Sequence, residues 1–143
     1  EVIKANKINE AVFNGVRTLV TMTLPFVGKS EGAEGVEAYF GYIFGTTPYT
    51  GGYTTYHPEE GEKFYVPAAL REVILTEAVT IVSYAFKDVR TLSKVVIPET
   101  VVNVGENAFE LIKNVTFHVD LLEKPESWDD NWNVENRPVV WKS

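Results

Sequence analysis

The chain contains no cysteine among its 143 residues, which excludes disulfide bonds and thiolate sites but does not fix the compartment. It also has no stretch of about eighteen apolar residues, the length that a membrane-spanning helix needs. Basic residues are few: 13 Lys and Arg stand against 20 Asp and Glu, for a net charge of -7. Because such a chain repels phosphate groups, we predict no nucleic-acid partner, no attraction to anionic membranes and no membrane insertion.

Catalytic motifs are also missing from the sequence. The two histidines, His57 and His118, lie far apart, and no Gly-x-Ser-x-Gly elbow is present to mark a nucleophile. Gly28-Lys29-Ser30 resembles the end of a phosphate-binding loop, but Thr23 stands where that motif requires its first glycine. The sequence therefore predicts no enzyme and no cofactor, and both histidines are interpreted as surface or strand-edge residues.

Acidic residues provide no convincing metal site either. Asp129, Asp130 and Asn131 offer the oxygen ligands that calcium prefers, but they lack the spacing of a calcium-binding loop, so a solvated turn is the favoured interpretation. The cluster of glutamates at 59, 60 and 62 is interpreted as a solvated loop. No pair among the twenty acids is singled out for general acid–base chemistry, and no metal is predicted.

What the chain does contain is an internal repeat. The segment 13–25 returns as 86–98 with every apolar spacing kept, and Val-Arg-Thr-Leu recurs unchanged. A third, looser copy begins at Ala108-Phe109. The period, 22 residues from Leu70 to Leu92 and 23 from Phe86 to Phe109, lies in the leucine-rich-repeat range. Because one such unit cannot bury its apolar edge alone, the repeat predicts a stack of coils that share one core.

Alternation within each repeat predicts a parallel strand with one inward face. Val95 and Ile97 are the inward residues of the best-defined copy, and the phenylalanines of the repeat fill the core. By the same register, the residues on the outward face or flanking it are Thr21, Thr23, Arg71, Glu72, Ile74, Lys94 and Val96. If binding uses the sheet, these side chains line the surface.

Two segments interrupt the repeat. Residues 26–69 are rich in tyrosine, phenylalanine and glycine, and we interpret them as an ordered insertion with a helical or extended piece over 36–44 and loops elsewhere. Residues 119–143 contain all three tryptophans and predict an aromatic cap that ends in a short strand. The chain thus divides into a first repeat (1–25), the insertion, further repeats (70–118) and the cap. The predicted fold class is a β-rich α+β solenoid.

The string Leu92-x-x-Val-x-Ile-Pro98-x-x-Val101-x-x-Val104-Gly105-x-x-Ala108-Phe109 resembles the repeat of the BspA-like (Treponema pallidum-type) leucine-rich-repeat family. The tail 131–141 resembles the cap of bacterial members, and parts of 24–45 resemble an element found between their repeats. In place of the cysteine that often follows the repeat phenylalanine, this chain has Val16, Val89 and Ile112. The resemblance implies a secreted or cell-surface bacterial protein used in adhesion, and it brings no catalytic residues.

Two functions of different classes follow. The first is an interaction module that binds a protein at the cell surface, and the second is a carbohydrate-binding module whose insertion stacks tyrosine rings on sugars. A third possibility is a spacer within a larger adhesin, since the sequence begins without an initiator methionine or signal segment and reads as a piece of a longer protein. The candidate ligand surface comprises Tyr39, Tyr42, Tyr49, Tyr53, Tyr56, Arg71 and Lys94.

Overall fold

The fold is built on parallel strands that come from successive coils. The computed structural model describes residues 2–57 and 62–143. Within these ranges the strands are β1 (Thr21–Leu24), β2 (Gly52–His57), β3 (Glu62–Pro67), β4 (Glu72–Leu75), β5 (Thr80–Ile81), β6 (Lys94–Ile97), β7 (Asn103–Val104), β8 (Thr116–Val119) and β9 (Val139–Trp141). Five of them form one sheet in the order β1-β4-β6-β8-β9, and every neighbouring pair is parallel.

The second layer of each coil is short and contains little helix. β5 and β7 form a separate two-stranded parallel sheet, in which Ile81 pairs with Val104. Two 3₁₀ turns, Gly35–Ala38 and Phe40–Ile43, are the helical elements of the described residues. The structure is thus a β-solenoid of about three turns, which confirms the predicted leucine-rich-repeat stack.

Side chains alternate along the main sheet as the sequence predicts. In β1, β4, β6 and β8 the second and fourth residues are buried, and the first and third are partly exposed. Val95 and Ile97 lie in the core, whereas Lys94 and Val96 face outward. This alternation is expected where only one face of a sheet is covered.

A column of phenylalanine rings runs through the core. Phe86 stacks on Phe109 with ring centroids 5.0 Å apart and on Phe40 at 4.8 Å. The backbone repeats with the rings: Phe40 N–H donates to the Ala85 carbonyl, and Phe86 N–H donates to the Ala108 carbonyl. Phe40 therefore completes the first coil, although it lies inside the segment predicted as an insertion.

The rest of that segment forms a β-hairpin where the sequence analysis predicted loops, so that prediction was wrong for 52–57 and 62–67. β2 and β3 are antiparallel, and Thr55, Phe64 and Val66 are buried. The alternation of β-branched and aromatic residues favours strands once one face has a core to cover. Gly41 makes room for this packing, since a Cβ there would lie 2.5 Å from the Phe64 Cβ.

The C-terminal cap covers the last coil with indole rings, as predicted. Trp128 and Trp132 are buried, with ring centroids 5.1 Å apart. Trp132 also lies 5.1 Å from Phe117 of β8, and the Trp128 Nε1–H donates to the Val101 carbonyl at 3.3 Å. The chain then forms β9, the predicted short strand, beside β8.

Candidate functional site

The outer face of the five-stranded sheet carries two rows of aligned side chains, because parallel strands in register place equivalent residues side by side. The row nearer the start of the strands is polar, and the second row is mainly apolar. The polar row consists of Thr21, Glu72, Lys94 and Thr116, and the apolar row consists of Thr23, Ile74, Val96, His118 and Val140. Together these nine residues are called the sheet face below.

Charges in the polar row are only loosely paired. Lys94 Nζ lies 4.0 Å from Glu72 Oε1, and both side chains are partly exposed. An exposed ion pair of this kind contributes at most about 1 kcal/mol, so a partner can exchange it at little cost. Arg71 precedes β4 and is exposed, but its Nη1 donates to the Ala68 and Leu70 carbonyls. Arg71 is therefore held against its own coil.

The apolar row ends in an open depression of about 440 Å³. Val96, His118 and Val140 line it together with Trp141. Val140 is 51% exposed, while at the rim Lys142 Nζ lies 3.7 Å from Asp120 Oδ1. An apolar floor with a charged rim has the anatomy of a protein–protein contact, where a dry centre is surrounded by polar groups.

The tyrosines of the candidate ligand surface lie elsewhere and in different environments. Tyr39 and Tyr42 are buried, with 6% and 8% of their surface exposed. The Tyr49 hydroxyl donates to the Tyr65 carbonyl at 2.9 Å, and burial, with a smaller contribution from neighbouring Tyr53, raises the pKa of Tyr49 to about 12. The side chain of Tyr56 lies outside the described part of the structure.

Tyr53 links the hairpin to the stack. Its hydroxyl lies 3.0 Å from Thr91 Oγ1, and the Arg90 guanidinium is 4.3 Å from its ring centroid. Arg90 also donates to the Thr54 carbonyl at 2.9 Å. Burial raises the pKa of Tyr53, although its hydrogen bonds to Thr91 oppose the rise. The described tyrosines thus serve packing contacts and do not assemble into a flat exposed platform.

Two residues considered for catalytic chemistry, Lys29 and His118, lie in an ion pair and on the sheet face, respectively. Lys29 Nζ pairs with Glu37 Oε2 at 3.2 Å, and the phosphate-loop resemblance of 28–30 has no helix behind it. His118 lies in the apolar row of the sheet face, between Val96 and Val140. The side chain of His57 lies outside the described residues.

The acidic residues considered for metal binding, Asp129 and Asp130, lie at a turn and make local contacts. The Asp129 carboxylate accepts the Asn131 backbone N–H at 2.7 Å, and Asp130 lies 3.4 Å from Lys124 Nζ. The glutamate cluster at 59, 60 and 62 falls outside the described side chains. Across 2–57 and 62–143, no three His, Asp or Glu side chains cluster as metal ligands would, and no helix has the length and apolar character to cross a membrane.

Sequence reasoning identified six of the nine residues of the sheet face. Alternation within the repeats gave six outward residues: Thr21, Thr23, Glu72, Ile74, Lys94 and Val96. Thr116 and Val140 were missed, and His118 was interpreted only as a surface or strand-edge residue. The interval between equivalent residues is not constant from coil to coil. Phe86 and Phe109 are 23 residues apart, whereas Lys94 pairs with Thr116, which is 22 residues further along the chain. The apolar row was therefore visible only after the strands were paired.

Comparison with known proteins identifies the family of the repeat region. Residues 61–128 match the family model described as BspA type Leucine rich repeat region (6 copies). No curated protein matches the chain significantly, and no solved structure does. The matched residues include β4 to β8, which are the regular coils of the stack. The chain therefore carries a BspA-type leucine-rich-repeat region, as the sequence resemblance predicted.

Proposed function

We propose that this chain is a non-catalytic protein-binding module that contacts its partner through the sheet face and acts in adhesion at the cell surface. The observation that carries the proposal is the apolar row Ile74, Val96, His118 and Val140, aligned on four neighbouring strands beside a row of exchangeable charges. A BspA-type repeat region also suggests protein–protein interaction, since stacked coils present extended surfaces.

Physical chemistry favours binding at this surface. Covering apolar side chains stabilises a complex by roughly 25 cal/mol for each Å² removed from water. The strands that carry the row are held by pairing on both sides in β4, β6 and β8, so the surface loses little conformational freedom on binding. A rigid apolar stripe beside charged residues therefore supports recognition of a folded protein.

The test uses one substitution on the sheet face and one matched control. Val96→Lys places a charge in the apolar row, and Val102→Lys places the same charge on an exposed valine, 52% accessible, outside the main sheet. Both proteins are measured by biolayer interferometry against purified host matrix and bacterial surface proteins. We expect a bound partner to be lost with Val96→Lys and kept with Val102→Lys. Absence of any binding at high micromolar concentration, or equal effects of both changes, would contradict the proposal.

A polysaccharide partner lacks comparable support. The carbohydrate alternative needs exposed, coplanar rings, but the described tyrosines of the candidate ligand surface are buried or hydrogen-bonded. A glycan array run beside the protein panel separates the two classes. Binding to glycans that survives Val96→Lys would favour the carbohydrate function.

Secretion or surface display is a proposal drawn from the family resemblance. Protease treatment of intact cells that produce the native protein, followed by detection with an antibody to this domain, tests it directly. We expect loss of the signal without lysis. Protection from the protease in intact cells, with cleavage only after lysis, would place the protein inside.

A further inference from the structure

A second concave surface lies on the flank of the stack, before the strands begin. Three successive coils each contribute one cation to a cavity of about 380 Å³: Arg90, Lys113 and Arg137. Leu111 and Asn114 also line it. Asp88 and Glu135 provide two carboxylates, so the lining has a formal charge of +1 in a chain whose total is -7. This cavity is called the flank cavity below.

Both carboxylates of the flank cavity are already engaged. Asp88 Oδ1 lies 3.0 Å from Arg90 Nη1, and Glu135 Oε1 lies 3.4 Å from Arg137 Nη2 while accepting the Leu111 N–H at 3.1 Å. The Lys113 ammonium, in contrast, is exposed and makes no hydrogen bond or ion pair with the described residues. The net positive charge of the cavity is therefore that of Lys113, which lies in the middle one of the three coils.

The two arginines that flank Lys113 are held in place. Arg90 is fixed by the Thr54 carbonyl and by the Tyr53 ring, and Arg137 Nε donates to the Ile112 carbonyl at 2.9 Å. Fixed side chains lose little entropy when a ligand arrives, which favours binding at a site built from long cationic residues. The cavity is thus preorganised on both sides of a free ammonium.

Leu111 is an unfavourable residue for stability at its position. Its φ of +66° is left-handed, and 46% of its surface is exposed. Asp88 and Asn136, in the coils on either side, have a similar left-handed φ and are of the polar types that tolerate it. A leucine that is both strained and exposed at the edge of a cavity indicates a role in contact with another molecule.

We propose that the flank cavity binds an acidic segment of a partner protein, with a carboxylate on Lys113 and a neighbouring apolar side chain against Leu111. Charge complementarity selects an anion, and the exposed leucine selects a peptide over a small inorganic ion. The backbone N–H groups of Asp88 and Leu111 already donate, to the Glu110 carbonyl and to Glu135 Oε1, so these two amides are not available to phosphate. The inference rests on the proposed function and names the partner chemistry of an additional surface.

The experiment measures fluorescence anisotropy with a labelled peptide that contains Glu-Leu-Glu-Leu between Gly-Ser ends. The matched probe replaces both glutamates with glutamine. We expect the acidic peptide to bind about tenfold more tightly than the neutral one at low salt. Lys113→Glu is expected to weaken binding of the acidic peptide by about tenfold, while Lys7→Glu, the same charge change on an exposed lysine of the first coil, leaves it unchanged.

Leu111→Asn separates binding from folding. Asparagine tolerates the left-handed conformation, so this variant should unfold at the same or a higher temperature while binding the acidic peptide several-fold more weakly. Equal affinity for both peptides, or equal effects of Lys113→Glu and Lys7→Glu, would overturn the inference. If the peptide fails but Val96→Lys still abolishes binding of a protein partner, only this inference fails and the proposed function stands.

Discussion

The regular stack and the hairpin insertion both bury aromatic rings, but they do so by different means. In the stack, Phe86 lies almost parallel to Phe109, with a centroid distance of 5.0 Å and an interplanar angle of 19°, and the contact needs no polar partner. In the insertion, Phe64 fits a space left by Gly41, and Tyr53 is tied to Thr91 through its hydroxyl. The first mode repeats from coil to coil, and the second is used once.

This difference shows what repetition contributes to a fold. A repeated coil meets a copy of itself, so one favourable contact is reused at each interface and any coil of the right pattern fits. The insertion has no copy to meet, and its rings need individual partners. We therefore expect substitutions in the stack to be costly through lost packing and those in the insertion to be sensitive to shape and hydrogen bonding.

The largest effect is expected for Phe86→Ala. Phe86 is fully buried between Phe40 and Phe109, and its removal leaves a cavity that should lower the free energy of unfolding by about 3–5 kcal/mol. Urea titration followed by circular dichroism measures it. Phe13→Ala, at a partly buried ring 6.3 Å from Phe44, is the control and should cost less. A loss below about 1 kcal/mol for Phe86→Ala would contradict the stacked core.

A smaller but still marked loss is expected for Gly41→Ala. The added methyl group meets the Phe64 side chain, and overpacking of this kind costs about 1–3 kcal/mol. A Phe64→Ala background removes two of the three nearest atoms, Cγ and Cδ2, so Gly41→Ala should cost less there and a double-mutant cycle should show coupling between the two sites. Additive effects would mean that the hairpin does not pack on Gly41.

Tyr53→Phe tests the hydrogen bond that joins hairpin and stack. Loss of the hydroxyl leaves Thr91 Oγ1 without this partner and should lower the unfolding free energy by about 1 kcal/mol. Tyr65→Phe is a suitable control, because its backbone carbonyl, and not its hydroxyl, makes the described contact with Tyr49. An unchanged stability of Tyr53→Phe in urea would show that the Tyr53–Thr91 hydrogen bond does not help to hold the hairpin on the stack.

The smallest effect concerns alkaline pH. The pKa of Tyr49 is about 12 in the folded chain, above the ordinary value of 10.0, so the unfolded chain releases this proton first as pH rises. The stabilising contribution is complete below pH 10 and is lost as pH approaches 12. The unfolding temperature, measured at pH 9, 10 and 11, should therefore fall less steeply with pH for Tyr49→Phe than for the unchanged chain. Parallel curves would contradict a raised pKa of the partly buried Tyr49 hydroxyl.

How far the sequence predicts this molecule depends on the region. Val95 and Ile97 were assigned to the core correctly because alternation over a half-covered sheet leaves few other arrangements. Phe40 was not recognised as a coil residue, although it lies 46 residues before Phe86, twice the interval between Phe86 and Phe109, because the glycine- and tyrosine-rich sequence around it does not resemble the repeat. The hairpin was missed because its burial depends on Gly41, a contact between residues distant in the chain.

The candidate sites also differ in how much of them the sequence predicts. Lys94 and Val96 were predicted to face outward from their strand alone, while the continuity of the apolar row required the strand register. The flank cavity was not predicted, although Arg90, Lys113 and Arg137 recur at intervals of 23 and 24 residues, close to the repeat period. Their proximity arises only when the coils stack.

The sequence by itself determined the stack: a period of 22 to 23 residues and strict alternation bury one face of each strand and require neighbouring coils to share a core. Tertiary structure decided where the irregular segments lie. Phe40 replaces the missing ring of the first coil, the hairpin covers Gly41, and three cations meet on one flank. The physical reason is that repeats encode their contacts locally, whereas single contacts between distant residues depend on shape that only the folded chain possesses.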